Sequence, residues 1–181
     1  MPLMLLVLGA LLSLLLLPAC TPVDRITAPT TAHMEQPKAE LATSTTGLPT
    51  GVIRVQLEHA SAGLTYTSES DYPFTWYFHA GPVPSPLSID GFRASLGIDP
   101  AEIIETRTLD DFFARHIEAV DPYDATAVAQ VPSYRALRET IRKVLVDPVV
   151  FRVGRIAIDC YIVGFDRAGN LVGLTTVAIE T

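Results

Sequence analysis

Glu69 and Asp71 stand two residues apart, with Ser68 and Ser70 on either side of the glutamate. Two carboxylates so close could share acid–base work. That chemistry needs environments that push the two pKa values apart, and nothing in the neighbouring sequence supplies them. The histidines, His33, His59, His79 and His116, show no metal-ligand spacing and no HExxH-type pair. Cys160 lies in an apolar run between Asp159 and Tyr161, with no adjacent cation to favour a thiolate. It reads as a small buried residue and not as a nucleophile. A glycine-rich phosphate loop and a GxSxG elbow are both absent from the chain. The residue types that would make an enzyme do not assemble, and the chain reads as non-enzymatic with no cofactor of its own.

Charge narrows the partners. The net charge is -7, and no charged side chain occurs in the first twenty residues, so the acidity belongs to the chain beyond Cys20. An acidic domain repels a phosphate backbone, which argues against direct nucleic-acid binding and favours a basic protein as partner. Residues 1–19 are an uncharged run rich in Leu, ending in Leu17-Pro18-Ala19-Cys20. A leucine three places before a cysteine, with a small residue just before it, resembles the bacterial lipobox. Cleavage would remove 1–19 as a signal peptide, and Cys20 would carry lipid at the cell envelope; the alternative is an uncleaved membrane anchor, since the apolar run approaches spanning length. The missing basic n-region and Pro18 depart from the usual pattern. Residues 20–50 are rich in Thr, Pro and Ala without an aromatic side chain, and read as a flexible tether.

The folded domain is expected over 51–181. Ile53, Leu57, Ala60 and Leu64 recur at helical spacing, with Gly63 to close the helix. Phe74 to Phe78 is aromatic and strand-like. The proline-dense stretch Gly81 to Pro86 must be a loop. Ile89, Phe92 and Leu96 predict a short helix ended by Gly97. Ile103 to Thr106 reads as a strand, and Thr108 caps a helix reaching Ile117. After a loop at Asp121-Pro122-Tyr123, a helix follows Pro132 from Ser133, with Tyr134, Leu137, Ile141 and Leu145 on one face. Three strands, Val149–Val153, Ile156–Gly164 and Leu171–Ile179, form a meander with turns at Gly154 and at Asp166 to Gly169. Helices and antiparallel strands in this order give an α+β fold.

Several ordered motifs carry a further reading. Gly63-Leu64 followed by Ser68-Glu69-Ser70-Asp71-Tyr72-Pro73-Phe74 is one, and Asp110-Asp111-Phe112-Phe113 is another. Phe151 to Gly154, Ile158 to Gly164 and Gly169 to Thr176 come next, and the sequence stops at Glu180-Thr181. Together they resemble the nuclease A inhibitor family from about Val52 to Thr181. The resemblance implies a three-layer α/β/α sandwich around a mixed, largely antiparallel sheet. It implies inhibition of a secreted or envelope, Mg²⁺-dependent ββα-metal nuclease that cuts DNA and RNA without sugar preference. In that reading Glu69 enters the nuclease active site, and the Thr181 hydroxyl ligates the partner's Mg²⁺ in trans. Ser68, Ser70, Asp71, Asp121, Tyr123 and Glu180 complete the contact, and the free protein is a monomer. Val120 and Pro122 depart from the pattern, standing where the family presents a glutamine and a tryptophan. An alternative is an envelope binding module that keeps the fold and recognises another protein.

The lipobox reading has a direct check. Cys20→Ser is expected to abolish incorporation of labelled fatty acid and to leave the precursor uncut. Unchanged mass and membrane fractionation would exclude Cys20 as the anchor.

Overall fold

The structure is a computed structural model that describes residues 47–81 and 83–181. The expected signal peptide, Cys20 and nearly all of the expected tether lie outside the described residues. The elements run α1 (Thr50–Ser61), β1 (Thr65–Thr67), β2 (Asp71–Pro73), β3 (Thr75–His79), α2 (Ile89–Leu96), β4 (Ile104–Arg107), α3 (Leu109–Ile117), α4 (Ala125–Val144), β5 (Val146–Val153), β6 (Ala157–Phe165) and β7 (Leu171–Ile179). The main sheet has the order β3-β7-β6-β5-β4, and every neighbouring pair is antiparallel. β1 and β2 form a separate hairpin.

Strand alternation divides the interior into two cores. Val150, Ile158, Cys160, Ile162, Val172, Leu174 and Ala178 face one way and pack with Ile53 and Leu57 of α1, Phe112 and Phe113 of α3, and Leu137 and Ile141 of α4. Phe151, Val153, Val163, Phe165 and Leu171 face the other way, against Phe92 of α2. Phe92 stacks flat on Phe151 with ring centroids 4.1 Å apart. This is the α/β/α sandwich that the motifs implied. Gly97 ends α2 in a left-handed conformation at φ 64°, which costs glycine little and other residues more. At the β5–β6 turn Gly154 has φ 112°, and a Cβ there would lie 2.6 Å from the carbonyl oxygen of Ala157.

Two elements start several residues earlier than the sequence expectation. α4 begins at Ala125, so Pro132 lies inside it. Asp124 caps the start by accepting from the N–H groups of Thr126 and Ala127, both at 3.0 Å. One missing ladder bond at an exposed proline is tolerated where the flanking turns are otherwise complete. β5 begins at Val146 and not at Val149, because a bulge at Asp147-Pro148 lets one strand carry on either side of the proline.

Order also starts before Gly51. The carbonyl of Leu48 accepts from the N–H of Arg167 at 3.0 Å, and Leu48 packs on the α1-side core. The Thr50 hydroxyl donates to Asp166 Oδ2. Asp166 is buried, and its other oxygen accepts from the N–H groups of Ala168 at 2.8 Å and Asn170 at 2.9 Å. Burial alone would raise this carboxyl, but the bonds from Asn170, Thr50 and Ala168 outweigh it and hold it below the ordinary aspartate value. Residues 47–50 are therefore part of the domain, although by composition they belong to the tether. A chain starting at Val52 is expected to melt below one starting at Gly47. Thr50→Val should cost about 1.5–3 kcal/mol, as for a lost hydrogen bond to a charged group. Equal denaturation midpoints for the two truncations would show that the contact contributes nothing.

Candidate functional site

The Ser68-Glu69-Ser70 turn joins β1 to β2, with Thr67 opposite Asp71, Tyr66 opposite Tyr72 and Thr65 opposite Pro73. Short hydroxyl side chains fold such a turn by bonding to nearby backbone. The Ser68 hydroxyl donates to the carbonyl of Ser70 at 3.0 Å, and the Ser68 N–H donates to the same oxygen at 3.2 Å. A two-stranded ribbon is marginal alone, and this one is tied down on three sides. Tyr66 is buried and stacks on Phe112 at 4.6 Å. The Tyr134 hydroxyl donates to the Thr65 carbonyl at 2.6 Å. The Thr67 N–H donates to His116 Nε2 at 3.0 Å, and the Arg115 guanidinium donates to the Thr67 carbonyl at 3.1 Å.

The third side is β7. The Ile179 N–H donates to Ser68 Oγ at 2.9 Å, and the Glu69 N–H donates to the Ile179 carbonyl at 3.3 Å. Two residues on, Thr181 gives both its N–H, at 2.9 Å, and its hydroxyl, at 2.7 Å, to Glu69 Oε1. Glu69 and Thr181 are exposed. The Thr181 hydroxyl, and after it the Thr181 N–H, holds the Glu69 carboxyl below the usual glutamate value. It is a carboxylate at neutral pH. Between them Glu180 turns inward, with Oε1 2.6 Å from Arg152 Nη2.

The expected contact residues thus fall into groups. Ser68, Glu69, Ser70 and Thr181 form one exposed tip, and Asp71 lies at its base. Asp71 and Asp121 line a shared cleft of about 370 Å³ between the hairpin and the α3–α4 loop, together with Val120 and Arg115. Asp121 accepts from the Tyr123 N–H at 2.9 Å, while the Tyr123 side chain is 95% exposed and stands out into solvent. Cys160 is free and buried, and burial pushes its thiol up to about 11. That is an inert thiol at neutral pH. Among the described residues no group of three or more His, Cys, Asp or Glu side chains is placed to hold a metal ion.

Sequence reasoning passed over the residues that support the tip. Arg115, His116, Tyr134 and Arg152 all looked like ordinary helix or strand positions. His116 alone carried a legible signal, since it falls four residues after Phe112 on the apolar face of α3.

A family model described as nuclease A inhibitor-like protein matches residues 52–181. No curated protein matches the chain.

His116 gives the site a pH limit. Its ring is buried between Tyr66 and Tyr134, and burial first, with the Arg115 charge second, lowers its pKa to about 4. Nε2 accepts from Thr67, so the neutral ring carries its proton on Nδ1. Protonating Nε2 would set two donors against each other. The folded pKa lies below the unfolded one, near 6.5, so the stabilisation is complete above that value and fades as pH falls towards 4. The loss over this window should be on the order of 2–3 kcal/mol. His116→Gln is expected to flatten it. An identical stability–pH slope in wild type and variant would remove His116 from this role.

Proposed function

We propose that this chain, which belongs to the nuclease A inhibitor-like family, is a protein inhibitor of a Mg²⁺-dependent, sugar-non-specific ββα-metal nuclease, and that the joined Glu69–Thr181 tip enters the nuclease active site. One observation carries the reading. Glu69 Oε1 takes both the N–H and the hydroxyl of Thr181 at the exposed end of the hairpin. A carboxylate and a hydroxyl are thereby presented as one rigid pair.

The chemistry of that pair suits a phosphodiester-cleaving site. Such a site holds cations that await phosphate, and a carboxylate delivered there gains charge-assisted hydrogen bonds. The Thr181 hydroxyl already donates its proton to Glu69, which leaves its oxygen lone pairs for an incoming electrophile. Mg²⁺ bound by the partner would accept such a hard oxygen into an octahedral shell. One hydroxyl beside one carboxylate is too few donors to hold that ion alone, so it belongs with the nuclease. Ser68 and Ser70 are small enough to let the tip approach closely. Asp71, Asp121 and Tyr123 would meet the rim of the partner, where acidic groups favour a basic surface. Glu180 supports the pair from within. Lipid on Cys20 would place the inhibitor at the envelope, facing a secreted or envelope nuclease.

A second reading keeps the fold and the tip but changes the partner. It rests on the α3–α4 loop, where Val120 lines the cleft and Pro122 is exposed, in place of the family's glutamine and tryptophan. A panel of metal-loaded nucleases with titrated inhibitor separates the two.

Glu69→Gln keeps an oxygen for Thr181 and removes the charge. It should weaken inhibition roughly 30- to several-thousand-fold, as for loss of one member of a desolvated charge pair. Thr181→Ala, or a peptide appended after Thr181, should also weaken it, and chelation of the nuclease metal should lower the affinity. Full inhibition by both Glu69→Gln and Thr181→Ala would overturn the assignment of the tip. Lack of inhibition of every nuclease by the wild type would favour the second reading.

A further inference from the structure

We infer that Arg152 is the positioning residue of the tip: by binding Glu180 from beneath, it holds Thr181 on Glu69. As a statement about inhibition this rests on the function proposed above. As a statement about the free protein it stands alone.

Arg152 lies on β5, opposite Glu105 of β4 on one side and Cys160 of β6 on the other. Alternation turns it to the sheet face that carries the α1-side core, and its side chain is only 8% exposed. A guanidinium there cannot shed its charge and must find anions. It has two. Glu105 Oε2 lies 3.4 Å from Nη1, and Glu180 Oε1 lies 2.6 Å from Nη2. Glu180 is the closer partner and the less exposed one, at 44% against 54% for Glu105. It is therefore the principal counter-ion.

Glu180 reaches Arg152 by the same alternation. β7 is paired to β6 as far as Ile179 opposite Ala157, and Ala178 faces the α1-side core. Glu180, two residues further, turns to that same face. Among the described residues its one backbone tie is the N–H bond to the Ile156 carbonyl at 3.0 Å. Two residues past the end of a strand normally fray. Here the buried Arg152 and the exposed Glu69 grip consecutive residues of one short segment. If the inner grip is released, Thr181 keeps only bonds to an exposed carboxylate, which water replaces at little cost.

The test uses the full chain, ¹⁵N-labelled, with Glu180→Gln, Arg152→Lys and Arg152→Met. Glu180→Gln changes a half-exposed side chain and guards against a variant that fails to fold. The steady-state heteronuclear NOE of the Thr181 amide should fall towards that of a frayed end in Glu180→Gln and Arg152→Met. Arg152→Lys should retain part of it. The amides of Ile162 and Leu174 should be unchanged throughout. An ordered Thr181 amide in Glu180→Gln, with the core intact, overturns the inference whether or not any nuclease is inhibited. Inhibition supplies the second arm. Glu180→Gln should weaken it about tenfold when Thr181 is present and have almost no effect in the Thr181→Ala background. An equal loss in both backgrounds would show that Glu180 and Arg152 act without Thr181. A wild type that blocks no nuclease defeats the proposed function and leaves the NOE result to decide the positioning role.

Discussion

β7 outlasts the strand beside it, and the rest of the tip follows from that mismatch. β3 pairs with β7 only from Leu171 to Thr175. Beyond that point one edge of β7 has N–H and C=O groups with no strand to meet, and an unmet backbone edge is both costly and open to false pairing. The hairpin turn fills the gap. Ser68 Oγ and the Glu69 N–H satisfy Ile179, and the Glu69 carboxylate takes the next N–H on the same edge, that of Thr181. The Thr176 hydroxyl adds a bond to the Tyr72 carbonyl at 3.1 Å. The contacts that close the sheet edge are thus the same contacts that assemble the exposed carboxylate and hydroxyl. Their geometry belongs to the sheet, not to a loop.

That origin matters for recognition. Binding through a mobile loop carries the entropy of ordering it, whereas a preformed element avoids much of that cost. The hairpin has only three paired positions, too few to be stable alone. It is held because Tyr66 stacks on Phe112, because Tyr134 and Arg115 bond to its carbonyls, and because a neutral His116 accepts from its backbone. Each of these supporting residues sits on α3 or α4, whose other side chains build the larger core. Core packing is therefore transmitted to the tip through a few polar bonds of defined direction.

The pattern of legibility follows from the range of the forces involved. Local rules found α2 with its glycine end, α3 with its Thr108 cap, and β7 to the residue. Periodicity and turn chemistry act over a few residues and were enough there. The same rules placed the start of α4 after Pro132, whereas the helix starts at Ala125 behind the Asp124 cap. They missed the anchoring of Thr50, whose partner Asp166 is 116 residues away. The β1–β2 hairpin leaves no strand signal, since three-residue strands have too little alternation to detect. At the site, Glu69 and Thr181 came from family resemblance. Their bond to each other, across 112 residues, had no local trace. Arg152 was invisible as a support for the same reason.

Electrostatics sharpens the division of labour between Glu180 and its neighbours. Two glutamates lie at this end of the molecule, and left unpaired they would form a diffuse acidic patch. Arg152 pairs with Glu180 inside the sheet face, whereas Glu69 presents its charge outward. Burial by itself would lower the Arg152 pKa, but the Glu180 carboxylate outweighs it and keeps the guanidinium above its ordinary value, so the internal pair stays ionised. Glu69 receives two donors from Thr181 on one oxygen, and among the described residues Oε2 accepts no hydrogen bond. Under the proposed function, that oxygen would be the acceptor for the partner. A general acidic surface attracts any basic protein through a field that salt screens within about 8–10 Å. Under the proposed function, one carboxylate oxygen beside a positioned hydroxyl would instead select for a partner with a donor or cation at one place.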